Sequence, residues 1–209
     1  MFVFLFVGSV SAKAFRLSEQ VEISLITCAP GNGAATVYGH TAIRVKDVRS
    51  GYDIAFNYGI YDFEAPNFLY SFASGQTDYK LEAYKFDAFV NSYKHSKRSV
   101  YEQVLDLTAA EKQNIVDFLV WNAKPENRVY RYNFFFDNCA TRVRDVIANN
   151  VEGGLTFQED KQSHKTLRQL VEDYHGKLLW LTFGIDFIVS SESDVEATFW
   201  EEMLLPDYL

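Results

Sequence analysis

Hydrophobic and polar positions alternate along six short stretches: Val21 to Thr27, His40 to Lys46, Tyr52 to Tyr58, Asp78 to Phe86, Ser99 to Leu107 and Val129 to Phe135. Alternation puts successive side chains on opposite faces, the period of a half-buried strand. Helical spacing appears elsewhere. Thr108 followed by Glu111 is a capping box, and Ile115, Phe118 and Leu119 keep one apolar stripe until Pro125 stops the chain. A second helix is predicted from about Cys139 to Asn150, with Val143, Val146 and Ile147 on one face and Gly153-Gly154 as its breaker. Further amphipathic stretches lie near Pro66 to Ser74, Lys85 to Tyr93, His164 to Tyr174 and Val195 to Leu205. Short strands interleaved with local helices predict an α+β fold around a largely antiparallel sheet.

The second and third strands can be set in register by their apolar positions. Thr41, Ile43 and Val45 face one way, and His40, Ala42 and Arg44 the other. Keeping the apolar sets together pairs Val45 with Tyr52, Arg44 with Asp53, Ile43 with Ile54, Ala42 with Ala55, Thr41 with Phe56 and His40 with Asn57. This register joins a cation to an anion, and an imidazole to an amide that can fix its tautomer. A hairpin loop is expected near Asp47 to Ser50. The small residues Ala42 and Ala55 leave their face shallow, which predicts an element packed closely there, and the Cys139 helix suits.

Composition narrows the picture. The 209 residues make one ample domain, and 48% hydrophobic with 23% charged residues exclude wholesale disorder. Net charge is −8 with no basic window, so the electrostatic footprint of nucleic-acid binding is missing. The apolar run Phe2 to Val7, followed by Val10 and Ala12 at cleavage-type spacing, reads as a truncated signal peptide over residues 1–12, although no basic residue precedes Lys13. A buried N-terminal strand is the other reading. Residues 13–209 then form a single exported domain. Its two cysteines, Cys28 and Cys139, are too few for a disulfide framework: they form one bridge, or at least one is kept for chemistry.

Cys139 falls at the first turn of its predicted helix, after Asp137-Asn138. Unpaired amides and the helix dipole there favour the thiolate, the form that attacks carbonyl carbon, and Arg142 adds positive charge. Asp137 opposes this if its carboxylate approaches the sulfur. A small buried filler is the plain alternative. His40, off the apolar face and opposite Asn57, completes a thiol, base and orienter suited to nucleophilic acyl transfer. Cys28 is a competing nucleophile, but Pro30 and Gly31-Asn32-Gly33 argue against a following helix to activate it. His95, His164 and His175 read as surface residues without a role. No His or Cys pair stands at metal-ligand spacing and no glycine-rich phosphate loop occurs, so neither metal nor cofactor is expected.

Four blocks carry a resemblance: Ile26-Thr27-Cys28-Ala29-Pro30-Gly31, Tyr38-Gly39-His40-Thr41-Ala42-Ile43-Arg44-Val45, Phe56-Asn57-Tyr58-Gly59, and Asp137-Asn138-Cys139-Ala140-Thr141-Arg142-Val143-Arg144-Asp145. Together they resemble the Lnb-type N-terminal periplasmic domain, from about Glu22 to the closing Leu204-Leu205-Pro206-Asp207-Tyr208-Leu209. That family looks like the circularly permuted papain-like superfamily, with the histidine strand ahead of the cysteine helix, as His40 precedes Cys139 here. Members with a membrane portion are lipoprotein N-acyltransferases. The resemblance therefore implies a periplasmic enzyme that moves an acyl chain from phospholipid, through a Cys139 thioester, to a lipoprotein or lipopeptide amino terminus, at a membrane surface or beside a membrane domain. It implies Cys139, His40 and Asn57 as catalytic residues, and Arg142, Arg44, Tyr38 and Asn138 as substrate contacts. An internal bridge from Arg142 to Asp137 is the alternative for that arginine, and Arg144 can pair with Asp145. The rival functions are a cell-wall peptide amidase or endopeptidase using the same residues, and a non-catalytic periplasmic module that binds lipid or protein.

Overall fold

A computed structural model describes residues 17–61, 70–71, 74, 76–156, 162–176, 178–188 and 191–209. Residues 1–12, expected to be a signal peptide, and most of the Pro66 to Ser74 segment lie outside the described residues. Strands β1 (Val21–Cys28), β2 (His40–Asp47), β3 (Tyr52–Ile60), β4 (Asp78–Lys85), β5 (Val100–Val104) and β6 (Val129–Arg131) form one sheet in the order β5-β1-β2-β3-β4-β6, and every neighbouring pair is antiparallel. The helices are α1 (Phe86–His95), α2 (Ala109–Asn122), α3 (Cys139–Asn150), α4 (Leu167–Glu172), α5 (Leu179–Ile188) and α6 (Phe199–Glu202). The Thr108–Glu111 capping box starts α2 as its sequence predicts. Two expected strands are shorter than their patterns: β5 ends before the run into Thr108, and β6 ends before a turn closed by an Asn133–Asp137 bridge.

The two faces of the sheet are covered by different helices. Ile23, Leu25, Ile43, Val45, Phe56, Tyr58 and Leu81 pack with Ile115 and Leu119 of α2 and Val143, Val146 and Ile147 of α3. Ile26, Cys28, Ala42 and Ala55 pack with Phe89 and Tyr93 of α1. The helix carrying Cys139 therefore lies on the branched face, not on the alanine face where it was expected. Size decides this. Each buried Val or Ile side chain contributes about 1.5–3 kcal/mol, which α3 would forfeit in large part against two methyl groups. The space above Ala42 and Ala55 fits the rings of Phe89 and Tyr93 instead.

The β2–β3 register also differs from expectation. Ile43 pairs with Phe56, Arg44 with Ala55, Val45 with Ile54, Lys46 with Asp53 and Asp47 with Tyr52, a displacement of two residues. A shift by two keeps every side chain on its face, so the predicted partners remain diagonal neighbours. Arg44 still meets Asp53, with Nη2 at 2.7 Å from Oδ2. The cause lies in the loop. Gly51 adopts φ +70 and closes a tighter turn than the expected register required, while the Asp47 carboxylate accepts from the amides of Ser18 and Arg49.

A C-terminal layer braces the sheet end. Leu167, Leu170, Val171, Leu181, Ile185, Leu204 and Leu205 enclose Val37 and partly bury Tyr38, Phe134 and Phe135. Helix α5 was not foreseen, because its apolar run carries no helical period that distinguishes one face. His175 belongs to this layer: it is 2% exposed rather than a surface residue, with Nε2 at 2.7 Å from Tyr38 Oη and Nδ1 at 3.0 Å from Thr182 Oγ1. Burial holds its pKa below the usual 6.5. The unfolded chain then takes up this proton near pH 6.5 and the folded chain only at lower pH, so stability is lost as pH falls from 6.5 through the folded value. Melting temperatures measured across this range are expected to drop more steeply for the wild type than for His175→Gln. Parallel curves would show that His175 is not buried in its neutral form.

Candidate active site

Helix α3 starts where Asn138 fixes it. Asn138 Oδ1 accepts from the amides of Ala140 at 2.7 Å and Thr141 at 3.0 Å, and its own amide donates to Thr141 Oγ1 at 2.8 Å. Its Nδ2 donates to the carbonyls of Phe134 and Leu204, each at 2.9 Å. An N-cap of this kind is worth about 0.5–2 kcal/mol. It also locates Cys139 as the first residue of the helix. The Cys139 carbonyl accepts from Thr41 Oγ1 at 3.0 Å, which ties the helix start to β2 one residue beyond His40.

At that junction Cys139, His40 and Asn57 come together. The thiol and the imidazole are close enough to couple electrostatically, both lying against Gly59, and Asn57 Oδ1 stands 2.5 Å from His40 Nε2. An amide oxygen only accepts, so Nε2 carries hydrogen toward Asn57 and Nδ1 is left to exchange a proton with sulfur. Beneath them is Gly59, with φ +93: a Cβ placed there would lie 3.4 Å from Cys139 Cβ and 3.6 Å from His40 Cε1. The pairing of β3 with β4 shifts register between Asn57 and Ile60, which is where this glycine sits.

The electrostatics favour a charged pair. Burial alone pushes the Cys139 thiol up, but the charge and hydrogen bond of His40, with the amides of Thr41 and Ala140, bring it below the ordinary 9.0. Burial likewise pulls His40 down, yet the neighbouring sulfur and the bond to Asn57 leave it above the ordinary 6.5. Both shifts point to thiolate with imidazolium. Cys28, opposite His40 in the β1–β2 register, behaves otherwise: burial pushes its thiol up to about 12 against the lowering effect of Tyr93 and Arg98. Both cysteines are free, so they do not form the bridge considered above.

The expected substrate contacts are already engaged within the chain. Arg142 forks onto both oxygens of Asp137 and lies over the Tyr130 ring, which also compensates the carboxylate nearest the helix start. Arg44 holds Asp53 and Glu102 and covers the Phe86 ring. Asn138 has its amide oxygen and both amide hydrogens committed to the cap, and Tyr38 reaches His175. Each of these four side chains therefore has a partner within the chain, the arginines because an acidic domain offers them carboxylates. Arg144 pairs with Asp145 as expected and adds the Trp200 carbonyl at 2.8 Å. Sequence reasoning missed the parts played by Gly59, Thr41 and the Leu204 carbonyl. Only Gly59 left a signal, a glycine inside a strand pattern.

A cavity of about 530 Å³ runs beside α3, lined by Tyr58, Phe118, Phe136, Arg142 and Asn149 among others, but Cys139 and His40 do not line it. Among the described residues no group of His, Cys, Asp or Glu could hold a metal ion, and no helix is long and apolar enough to cross a membrane.

A mixed α+β fold with a thiol, an imidazole and an amide gathered at the end of an antiparallel sheet defines the class of this domain. The chain belongs to the Lnb N-terminal periplasmic domain family, whose model matches residues 12–173. That membership supports an extracellular or periplasmic location. The match stops before α5, short of the C-terminal extent the resemblance suggested. No curated protein and no solved structure matches the chain.

Gly59 and Gly51 both take positive φ, but nothing lies within 4 Å of a Cβ at Gly51. Alanine at either position costs about 1–3 kcal/mol of backbone strain. Denaturant melts are expected to show that loss in both variants, whereas alkylation of Cys139 by iodoacetamide is expected to slow in Gly59→Ala alone. Equal alkylation rates in the two variants would remove Gly59 from the site.

Proposed function

We propose that this domain is an exported thiol-dependent acyltransferase or hydrolase of the circularly permuted papain-like type, with Cys139 as nucleophile, His40 as base and Asn57 as orienter. The observation that carries the reading is the mutual coupling of Cys139 and His40 while Asn57 holds the far ring nitrogen. The Cys139 thiolate attacks the carbonyl carbon of an acyl ester. The carbonyl C–O bond to the leaving group breaks, and the departing alkoxide takes the proton from His40 Nδ1. In the second half an amine or water attacks the thioester, His40 accepts its proton, and the thiolate leaves. The Asn138 side chain occupies the amides of Ala140 and Thr141, so the Cys139 N–H is the first-turn donor assigned to the oxyanion. Family membership supports a phospholipid as donor and a lipoprotein or lipopeptide amino terminus as acceptor, because Lnb-type proteins with a membrane portion carry out that transfer.

Incubation with an activated acyl ester, followed by mass spectrometry, is expected to show one acyl group on Cys139 in the wild type and none in Cys139→Ala. His40→Ala is expected to slow acylation by about 10²–10⁴-fold. Equal labelling of wild type and Cys139→Ala would end the assignment. Release of peptide from peptidoglycan without acylation of a lipopeptide would move it to amide hydrolysis by the same residues.

A further inference from the structure

Helix α5 is apolar on both sides. Leu181 and Ile185 face the C-terminal layer, whereas Leu179, Trp180 and Phe183 are 77%, 64% and 75% exposed. At about 100° per residue, these three fall within one sector of roughly a quarter turn, opposite the buried pair. Soluble domains seldom leave so contiguous an apolar ridge in water. Side chains this exposed stand clear of the surface rather than lining a groove, so the ridge fits a fluid apolar medium better than a shaped protein pocket.

Charge narrows the occupant further. Asp186 is the one charged residue in α5, and it is ion-paired at 2.9 Å to Arg168, which also holds Asp194 at 2.6 Å. Arg168 thus offsets part of the charge of two carboxylates and leaves the margin of the ridge net negative, which favours a zwitterionic surface over an anionic one. The net charge of −8 gives no attraction to anionic headgroups. Leucine, phenylalanine and an amphipathic indole are the composition of an interfacial anchor, and Lys177, the one cation next to the helix in sequence, makes no basic cluster for anionic headgroups.

We propose that Leu179, Trp180 and Phe183 form an interfacial anchor that seats this domain on a zwitterionic lipid bilayer by apolar insertion. The proposal rests on the acyltransfer reading in one respect, that reading being what places the acyl donor in a bilayer. The structure also links the anchor to the site. Thr182 of α5 bonds His175, His175 bonds Tyr38, and Tyr38 lies two residues before His40. A docked α5 therefore holds the Cys139–His40 end of the sheet at a fixed place relative to the lipid surface.

Flotation of the full chain with phosphatidylcholine vesicles tests this. The wild type is expected to float with the vesicles equally at low and high salt. Combined Leu179→Ser, Trp180→Ser and Phe183→Ser substitution is expected to lower the bound fraction at least about tenfold without lowering the melting temperature, since the three side chains are exposed. Trp121→Ser, on an exposed position of α2, is expected to keep binding. Absence of flotation, binding retained by the triple variant, or binding abolished by salt would overturn the proposal. So would a concentration-dependent dimer that the triple variant abolishes, which would assign the ridge to a second copy. Cys139→Ala should float like the wild type, and thioester formation from a soluble ester needs no vesicles, so failure of the anchor and failure of the acyltransfer reading are read separately.

Discussion

A thiol and an imidazole are each opposed by burial to becoming charged, and each lowers that opposition for the other by supplying a counterion. Everything around Cys139 and His40 can be understood as holding them within reach. Asn138 fixes the first turn of α3, Thr41 pins the Cys139 carbonyl to β2, and Gly59 leaves the space in which sulfur and ring meet. Asn57 then sets which ring nitrogen faces the thiol.

The scaffold reaches this arrangement by closing two loops from behind. The residues leading into His40 and those leading into Cys139 are both packed by the C-terminal layer: Val37 and Tyr38 on one side, Phe134 and Phe135 on the other. A polar clamp completes it, with the Leu204 carbonyl accepting from Asn138 and the Trp200 carbonyl from Arg144. Backbone carbonyls make durable clamps because substitution of their own side chains leaves the acceptor in place. Cys28 shows what the same neighbourhood does to a thiol whose nearby cation, Arg98, does not offset burial: it stays protonated near neutrality.

Much of the sheet and the site was legible in the sequence because both rest on local pattern. Alternation located the strands, and the start of α3 followed from Asn138 standing ahead of an apolar helical face. Parity carried the site through an error in register: a slip of two residues left His40 with Asn57 and Arg44 with Asp53 on shared faces. The features that were not legible depend on distant partners. Nothing local says that α3 covers Ile43 rather than Ala42, that Arg44 finds Glu102, or that His175 is buried against Tyr38. Helix α5 escaped because a run apolar on every side has no periodic contrast to detect.

The chemistry proposed for this site requires Cys139 and His40 to share one proton as a thiolate–imidazolium pair. The rate of Cys139 alkylation measured against pH, in the wild type and in His40→Ala, tests it most directly; Cys28 stays silent near neutrality because its thiol is pushed up to about 12. Such a pair gives a wild-type inflection below the ordinary 9.0 that rises when His40 is removed. A wild-type inflection at or above that value, unmoved in His40→Ala, would contradict it.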